Sequence, residues 1–272
     1  MERGVIYISY GEKYILEAIH SCKSLKKYNE LSVTLITDKP YKLDLSIFDR
    51  VEYLDLELAK PLLRHQTRSE DWIKGIAFKI KGMLASPYKK TVFLDTDTEV
   101  LDDFSELFDI LEHFELLAIP APGDLQVPFW KGEKIKGLHP LNTGVLAFQD
   151  STQVKELFEQ WLVCFLRNSD KYLQDQPALT EAMLTKPVKF FPLSILYHLR
   201  TNCYVGIPAN KVKILHGRYP KEYDMNLRVN GSTINRGWIP NFKRTFGLKR
   251  FYRDWLRKII LKQKKLNFLR KS

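Results

Sequence analysis

The run Val92-Phe93-Leu94-Asp95-Thr96-Asp97-Thr98-Glu99-Val100 constrains the fold more than any other segment of this chain. Three apolar residues lead straight into two carboxylates one residue apart. An unbroken apolar run suits a strand covered on both faces, as in a parallel sheet. Asp is depleted inside strands, so the pair marks the exit of the strand. Open α/β sheets bind their ligands at that edge. Carboxylates placed there can hold a hard divalent cation, and the cation can bridge to a diphosphate. Taken alone, a D-x-D is also what a strand end followed by an acidic helix cap would show, so the flanking segments must separate the two.

Before the strand, Phe78-Lys79-Ile80 begins a helical pattern that Pro87-Tyr88-Lys89-Lys90 breaks. After the carboxylates, Asp102-Asp103-Phe104-Ser105-Glu106-Leu107 predicts a newly capped helix. The first third alternates. Val5–Ser9 reads as a strand, and Glu12–Tyr28 carries Ile15, Leu16, Ile19, Cys22 and Leu25 at helical spacing. Val33–Asp38 and Arg50–Leu54 read as strands, Glu70–Ala85 as a helix and Thr91–Leu94 as the next strand. This βαβ rhythm predicts an α/β fold with a mostly parallel, doubly wound sheet. Further on, Phe114–Ile119 and Asn142–Phe148 are expected strands, Ser151–Arg167 an amphipathic helix and Gln176–Leu184 a short one. Short extended segments run up to His216, and Tyr219–Asn241 is only weakly periodic. Between them, Pro120–Pro140 is rich in Pro and Gly and carries Trp130, Lys131, Lys134 and Lys136. A loop that long in a compact domain is functional or disordered. No internal repeat is visible.

With 272 residues and 44% hydrophobic content, the chain can bury one large core. Its net charge of +11 is local. Phe242–Ser272 holds twelve Lys/Arg and one acid, Asp254, which leaves 31 basic and 31 acidic residues in the rest of the chain. We therefore read residues 1–241 as one domain and 242–272 as a basic C-terminal segment. In that segment Leu248, Phe251, Tyr252, Trp255, Leu256, Ile259 and Ile260 recur at intervals of three and four. Lys249, Arg250, Arg253, Arg257 and Lys258 fill the opposite face, and Lys262, Lys264, Lys265, Arg270 and Lys271 extend the charge. This is the pattern of an amphipathic helix lying on anionic lipid, where each basic residue contributes about 1 kcal/mol. The alternative is a helix packed on the core with a solvated basic face. A nucleic-acid partner is not expected, since the remainder is neutral and shows no recognition module. No run of 18 apolar residues could cross a membrane. The N-terminus reads as a first strand instead of a signal peptide. Cys22, Cys164 and Cys203 are scattered thiols without metal spacing, as in a reducing compartment. The expected location is cytoplasmic, peripheral at the inner face of a membrane.

Helix, strand, carboxylate pair, helix is an order that resembles the donor site of GT-A glycosyltransferases. Leu141-Asn142-Thr143-Gly144-Val145-Leu146-Ala147-Phe148, Tyr172-Leu173-Gln174-Asp175-Gln176-Pro177-Ala178-Leu179 and Leu215-His216-Gly217 are similar to three later blocks. Together the four blocks resemble glycosyltransferase family 8, which includes glycogenin and bacterial lipooligosaccharide galactosyltransferases. The resemblance runs over residues 3–220. It implies a GT-A (Rossmann-like) fold and a hexosyltransferase of polysaccharide biosynthesis. The donor would be a nucleotide sugar, a UDP-sugar by resemblance, with retention of configuration and transfer to a glycan or glycolipid. It implies Mn²⁺ or Mg²⁺ held by Asp95, Asp97 and His216, with Asp95 also reaching the ribose. Lys79, 16 residues before Asp95, matches the family's basic contact to donor phosphates and sugar. Asn142, Asp175 and Gln176 match the residues that read the donor sugar, with Gln176 beside an oxocarbenium-like centre. The family's H-x-x-G-x-x-K pattern is replaced by His216-Gly217-Arg218-Tyr219-Pro220-Lys221, so either Arg218 or Lys221 takes the phosphate role. Bacterial lipooligosaccharide enzymes have a similar basic, aromatic C-terminal segment. The Trp130 loop is expected to close over the donor.

Chemistry supports these assignments independently. A diphosphate leaving group concentrates negative charge, which a divalent ion neutralises as a Lewis acid. An imidazole ligand suits Mn²⁺ better than Mg²⁺. Amide and carboxylate side chains can pair with adjacent sugar hydroxyls and discriminate strongly when buried. Tyr10 and Tyr14 at the first strand end could stack on a base, and Asp38 at the second could accept from base or ribose. Asp124 in the long loop is a further sugar contact or a solvated acid. Each has a plainer reading: Lys79 a helix-face lysine, His216 a capping histidine, Asp175 the N-cap of a helix whose first turn holds Pro177. A phosphatase built on D-x-D would want Thr or Val where Glu99 stands. A non-catalytic membrane-surface protein with a degenerate site is the other alternative, and the intact set Asp95, Asp97, Asn142, Asp175, Gln176 and His216 speaks against it.

Overall fold

Strand β4 (Lys90–Leu94), which delivers the two carboxylates, lies at the centre of a seven-stranded sheet. The structure is a computed structural model, described for residues 1–58, 69–121, 129–130, 133–135, 139–172, 174–200, 210–219 and 224–231. On one side of β4 come β1 (Arg3–Ser9), β2 (Val33–Thr37) and β3 (Arg50–Tyr53), all parallel. On the other side β9 (Val145–Gln149) runs antiparallel to both β4 and β6 (Leu116–Ala118), and β10 (Phe190–Pro192) closes the edge parallel to β6. The sheet is thus mostly parallel, as expected, with β9 reversed beside the carboxylate strand.

Both faces are covered, which is why the central strands read as unbroken apolar runs. In β1, Ile6 and Ile8 point into one core, Val5 and Tyr7 into the other, following the two-residue period of a strand. The first core is closed by α2 (Glu70–Leu84), α4 (Thr152–Arg167) and α5 (Gln176–Thr185), through Ile73, Phe78, Phe158, Trp161 and Leu179. The second is closed by α1 (Glu12–Leu25) and the short α3 (Glu106–Ile110), through Ile15, Cys22, Leu25, Phe104 and Phe108. Helix α2 starts where the Ser69 hydroxyl accepts from the Trp72 N–H at 3.2 Å, and α4 where Ser151 accepts from Val154 at 3.2 Å.

The new helix expected within Asp102–Leu107 is present, but it starts late and without a side-chain cap. A three-residue strand, β5 (Thr98–Val100), comes first and pairs antiparallel with β11 (Ile214–His216). Helix α3 starts only at Glu106, and Ser105 at its cap position makes no capping bond. Instead Asp103 accepts from the backbone and hydroxyl of Ser105. Thr98 and Val100 are buried and β-branched, so their burial in a strand outweighs the pull of the acids toward a helix start.

Within the long loop, β7 (Phe129–Trp130) and β8 (Glu133–Lys134) form a small antiparallel ladder. The Asp124, Lys131 and Lys136 expectations lie outside the described residues, as do Lys221, Cys203 and the whole basic segment 242–272. Cys22 and Cys164 are free, buried thiols. Among the described residues no helix is long and apolar enough to cross a membrane. A short α6 (Met225–Asn230), capped by Asp224, follows the last strand.

Candidate active site

The site begins one residue past β4. The Asp95 N–H donates to the Gly144 carbonyl at 2.8 Å, which extends the ladder to β9. The chain then folds into a tight turn, with the Thr98 N–H and hydroxyl both donating to the Asp95 carbonyl, at 3.2 and 2.8 Å. The Thr98 hydroxyl also bonds Ser21, and Ser21 bonds Tyr7, so a buried chain of hydroxyls ties the turn to α1 and β1. Across this turn, β11 sets His216 opposite Thr98. Its successor Gly217 donates its N–H to the Asp97 carbonyl at 2.8 Å with φ of 127°, a conformation that favours glycine.

This brings three ligand-type atoms together. His216 Nε2 lies 3.2 Å from Asp97 Oδ1 and 3.5 Å from Asp95 Oδ2. One ligand atom from each of the three residues falls within 4.8 Å of the others. Neighbouring ligands of an octahedral ion with bonds near 2.1 Å sit about 3 Å apart. Two carboxylates and one imidazole at this spacing therefore fit a single divalent cation of the Mg²⁺ or Mn²⁺ kind.

Behind the cluster, Lys79 on α2 reaches Asp95 Oδ1 at 2.9 Å and Asp175 Oδ2 at 3.3 Å. Burial alone would lower the Lys79 pKa, but the Asp175 and Asp95 charges outweigh it and raise the value. Asp175 stands at the N-cap position of α5, yet its side chain does not cap the helix. The carboxylate accepts from the Thr143 hydroxyl at 2.8 Å and faces Lys79, while its carbonyl accepts from the Trp161 indole N–H at 3.1 Å. Gln176 opens α5 and is half-buried. Asn142 is fully buried, and its Oδ1 accepts from the Gly144 N–H at 2.9 Å. Its Nδ2 has no partner among the described residues. A buried orphan donor costs about 1–3 kcal/mol, which a ligand hydroxyl would relieve.

No family model matches the sequence, and no curated protein matches it. Solved structures do. The crystal structure of an active-site mutant of LgtC, a lipooligosaccharide galactosyltransferase of glycosyltransferase family 8, aligns with a TM-score of 0.55 at 15% identity. The alignment covers 80% of this chain and 88% of that one.

The chain has the GT-A fold.

On the open side of the GT-A carboxylate pair stands Arg218. Its guanidinium makes two bonds of 2.8 Å to Glu17 and lies 3.3 Å from Asp97 Oδ2. The Glu17 hydrogen bonds raise the Arg218 pKa. Burial works against the charge on Asp97, but the hydrogen bond and charge of His216, together with Arg218, hold its carboxyl well below the usual range. Asp97, Gly217 and Arg218 border a cavity of about 950 Å³ between α1, β5 and α6. That volume lies within the range of small-molecule sites.

Tyr10 and Asp38 directly follow β1 and β2, whereas Tyr14, expected at the first strand end, lies in the first turn of α1 and acts electrostatically on Arg218. Asp38 Oδ1 accepts from the Gly11 N–H at 3.0 Å, and both its oxygens lie within 3.1 Å of the Tyr41 hydroxyl. The Tyr10 ring packs 5.5 Å from Phe78, and Tyr14 is exposed with the Lys13 ammonium 5.6 Å from its ring.

Three residues that sequence reasoning missed complete the site. His198 is fully buried, with Nε2 in contact with His216 Nδ1 and the rings 4.6 Å apart. Burial, then the charges of His216, Arg200 and Lys79, lower its pKa well below the ordinary value. Gly144 lies against both imidazoles, and a Cβ there would overlap the His216 ring. The second carboxylate of the Arg218 fork, Glu17, likewise looks in the sequence like any acid on a helix face.

Proposed function

We propose that this GT-A chain is a metal-dependent hexosyltransferase that moves a sugar from a nucleotide-sugar donor to a glycan or lipid-linked acceptor. The observation that carries this reading is the convergence of Asp95, Asp97 and His216 at the end of β4, with donor atoms at the spacing of one cation. Bound there, Mn²⁺ or Mg²⁺ would supply Lewis-acid neutralisation of a diphosphate leaving group.

The chain's own groups fill the remaining roles. Lys79 holds Asp95 and Asp175 in place and offers a buried positive charge beside the phosphates and sugar. Asn142 donates its free amide hydrogens to a sugar hydroxyl. Asp175 fixes the sugar, and the Gln176 amide oxygen faces the positive charge that develops at the anomeric carbon. Arg218, half-exposed on Glu17 and Asp97, is the cation free to turn toward the diphosphate, with Lys221 as the alternative. Tyr10, Tyr14 and Asp38 take the nucleotide, with uridine favoured by the resemblance. Retention of configuration is taken from the family resemblance; on Asp175, Lys79 and Thr143 both engage Oδ2 and leave Oδ1 to the sugar. Residues 242–272 place the enzyme at an anionic membrane surface, on its cytoplasmic side, near a lipid-linked acceptor.

The test is a nucleotide-release screen over UDP- and GDP-sugars with Mn²⁺, Mg²⁺ or EDTA, comparing wild type with Asp97→Ala. The expected result is slow release from one donor that needs the metal and is lost in the variant. Absence of release together with absence of metal-dependent nucleotide binding by calorimetry would overturn the catalytic reading.

A further inference from the structure

We propose that His198 is a positioning residue that dictates which nitrogen of His216 carries the proton and thereby presents Nε2 to the cation; this rests on reading Asp95, Asp97 and His216 as a cation site. The backbone sets up the pair. The Leu199 N–H donates to the Ile214 carbonyl and the His216 N–H to the Leu199 carbonyl, both at 2.9 Å, forming a parallel bridge of Leu199 to Leu215. In that register His198 stands opposite Ile214 and shares its sheet face with His216 two residues on, so that His198 Nε2 meets His216 Nδ1 across the diagonal. Among the described residues no other group bonds that nitrogen.

Two nitrogens at this separation share one proton, in one of two ways. If His198 donates, His216 Nδ1 is the acceptor and its Nε2 keeps a hydrogen directed at the two carboxylates, which blocks a cation. If a neutral His216 donates from Nδ1, the Nε2 lone pair is free and points at the carboxylate oxygens 3.2 and 3.5 Å away. Only the second arrangement can ligate. The metal-ready state also places His198's own hydrogen on Nδ1, a buried atom with no partner among the described residues. The bond from cation to Nε2 offsets that cost.

Metal-bound histidines commonly donate their second nitrogen to a carboxylate, a carbonyl or water, and this partner fixes ring and tautomer. Here a buried imidazole takes that place. Gly144 completes the clamp, since a Cβ there would come within 2.9 Å of His198 Nε2 and closer to the His216 ring. The His216 ring is thus held between a strand on one side and His198 on the other.

The test measures Mn²⁺ affinity by electron paramagnetic resonance on the full chain, for wild type, His198→Gln and His198→Leu. The Gln amide oxygen can accept from Nδ1–H, so that variant keeps nearly wild-type affinity. Leu cannot accept, and affinity falls about 10- to 100-fold. Nitrogen NMR of the Mg²⁺-loaded wild type shows the His216 hydrogen on Nδ1. Equal affinity in all three proteins, equal loss in both variants, or an Nε2 hydrogen in the Mg²⁺-loaded protein each overturns the proposal. If wild type itself binds no Mn²⁺, the cation-site reading fails, and the failure is visible before any variant is compared.

Discussion

Asp95 and Asp97 stand two residues apart, yet they face opposite kinds of cation. Asp95 meets Lys79, whose side chain is 13% exposed and locked between two carboxylates. Asp97 meets Arg218, whose side chain is 58% exposed and shared with Glu17. The inner ion pair is built into the contact between α2 and the end of β4. The outer one belongs to a short segment after β11, and its arginine is half-exposed although Asp97 and Glu17 are only 18% and 21% exposed. Buried charge is costly unless matched, so the inner half is rigid by necessity. Exposed pairs contribute little, so the outer half can rearrange around a ligand at small cost.

Removing the inner cation tests this most severely. Lys79→Met leaves Asp95 and Asp175 without a counter-charge, and a loss of about 3–5 kcal/mol is expected from urea unfolding. A change under about 1 kcal/mol would mean that the inner half is no more fixed than the outer. Next in size is Gly144→Ala, where the added methyl meets the His216 and His198 rings. Overpacking of this kind costs about 1–3 kcal/mol, and Mn²⁺ affinity should drop with it as His216 is displaced. A variant with unchanged stability and unchanged affinity would show that the rings have room to move. The smallest effect on folding is expected for Arg218→Ala, below about 1 kcal/mol. Its mark is on binding: affinity for the nucleotide-sugar falls, while Mn²⁺ affinity without nucleotide rises because the guanidinium no longer competes at Asp97. A stability loss as large as that of Lys79→Met would erase the distinction between the two halves.

The inner half was the more legible in sequence. Val92–Leu94 reads as a buried strand, and its exit into Asp95 and Asp97 points to the edge of the sheet where ligands bind. Lys79 on the preceding helix is picked out by the family resemblance; by itself it reads as a helix-face lysine. Asp175 illustrates a limit, because a residue before Gln176-Pro177 is as good a helix cap as a site carboxylate. The three-dimensional structure removes the capping reading, since the side chain goes to Thr143 and Lys79 and leaves the helix uncapped.

What the sequence determined by itself is the alternation of strands and helices, the carboxylate exit of β4 and the order of the blocks that follow. These are local facts of period and composition, repeated over enough residues to stand out. Only the tertiary structure decided the ladder of β5 on β11, the contact of His198 with His216, the clamp of Gly144 and the fork of Arg218 on Glu17. Three-residue strands carry too little pattern to announce themselves. A histidine's partner or an arginine's carboxylate is chosen by which distant segments the sheet brings side by side, and no local spacing along the chain encodes that choice.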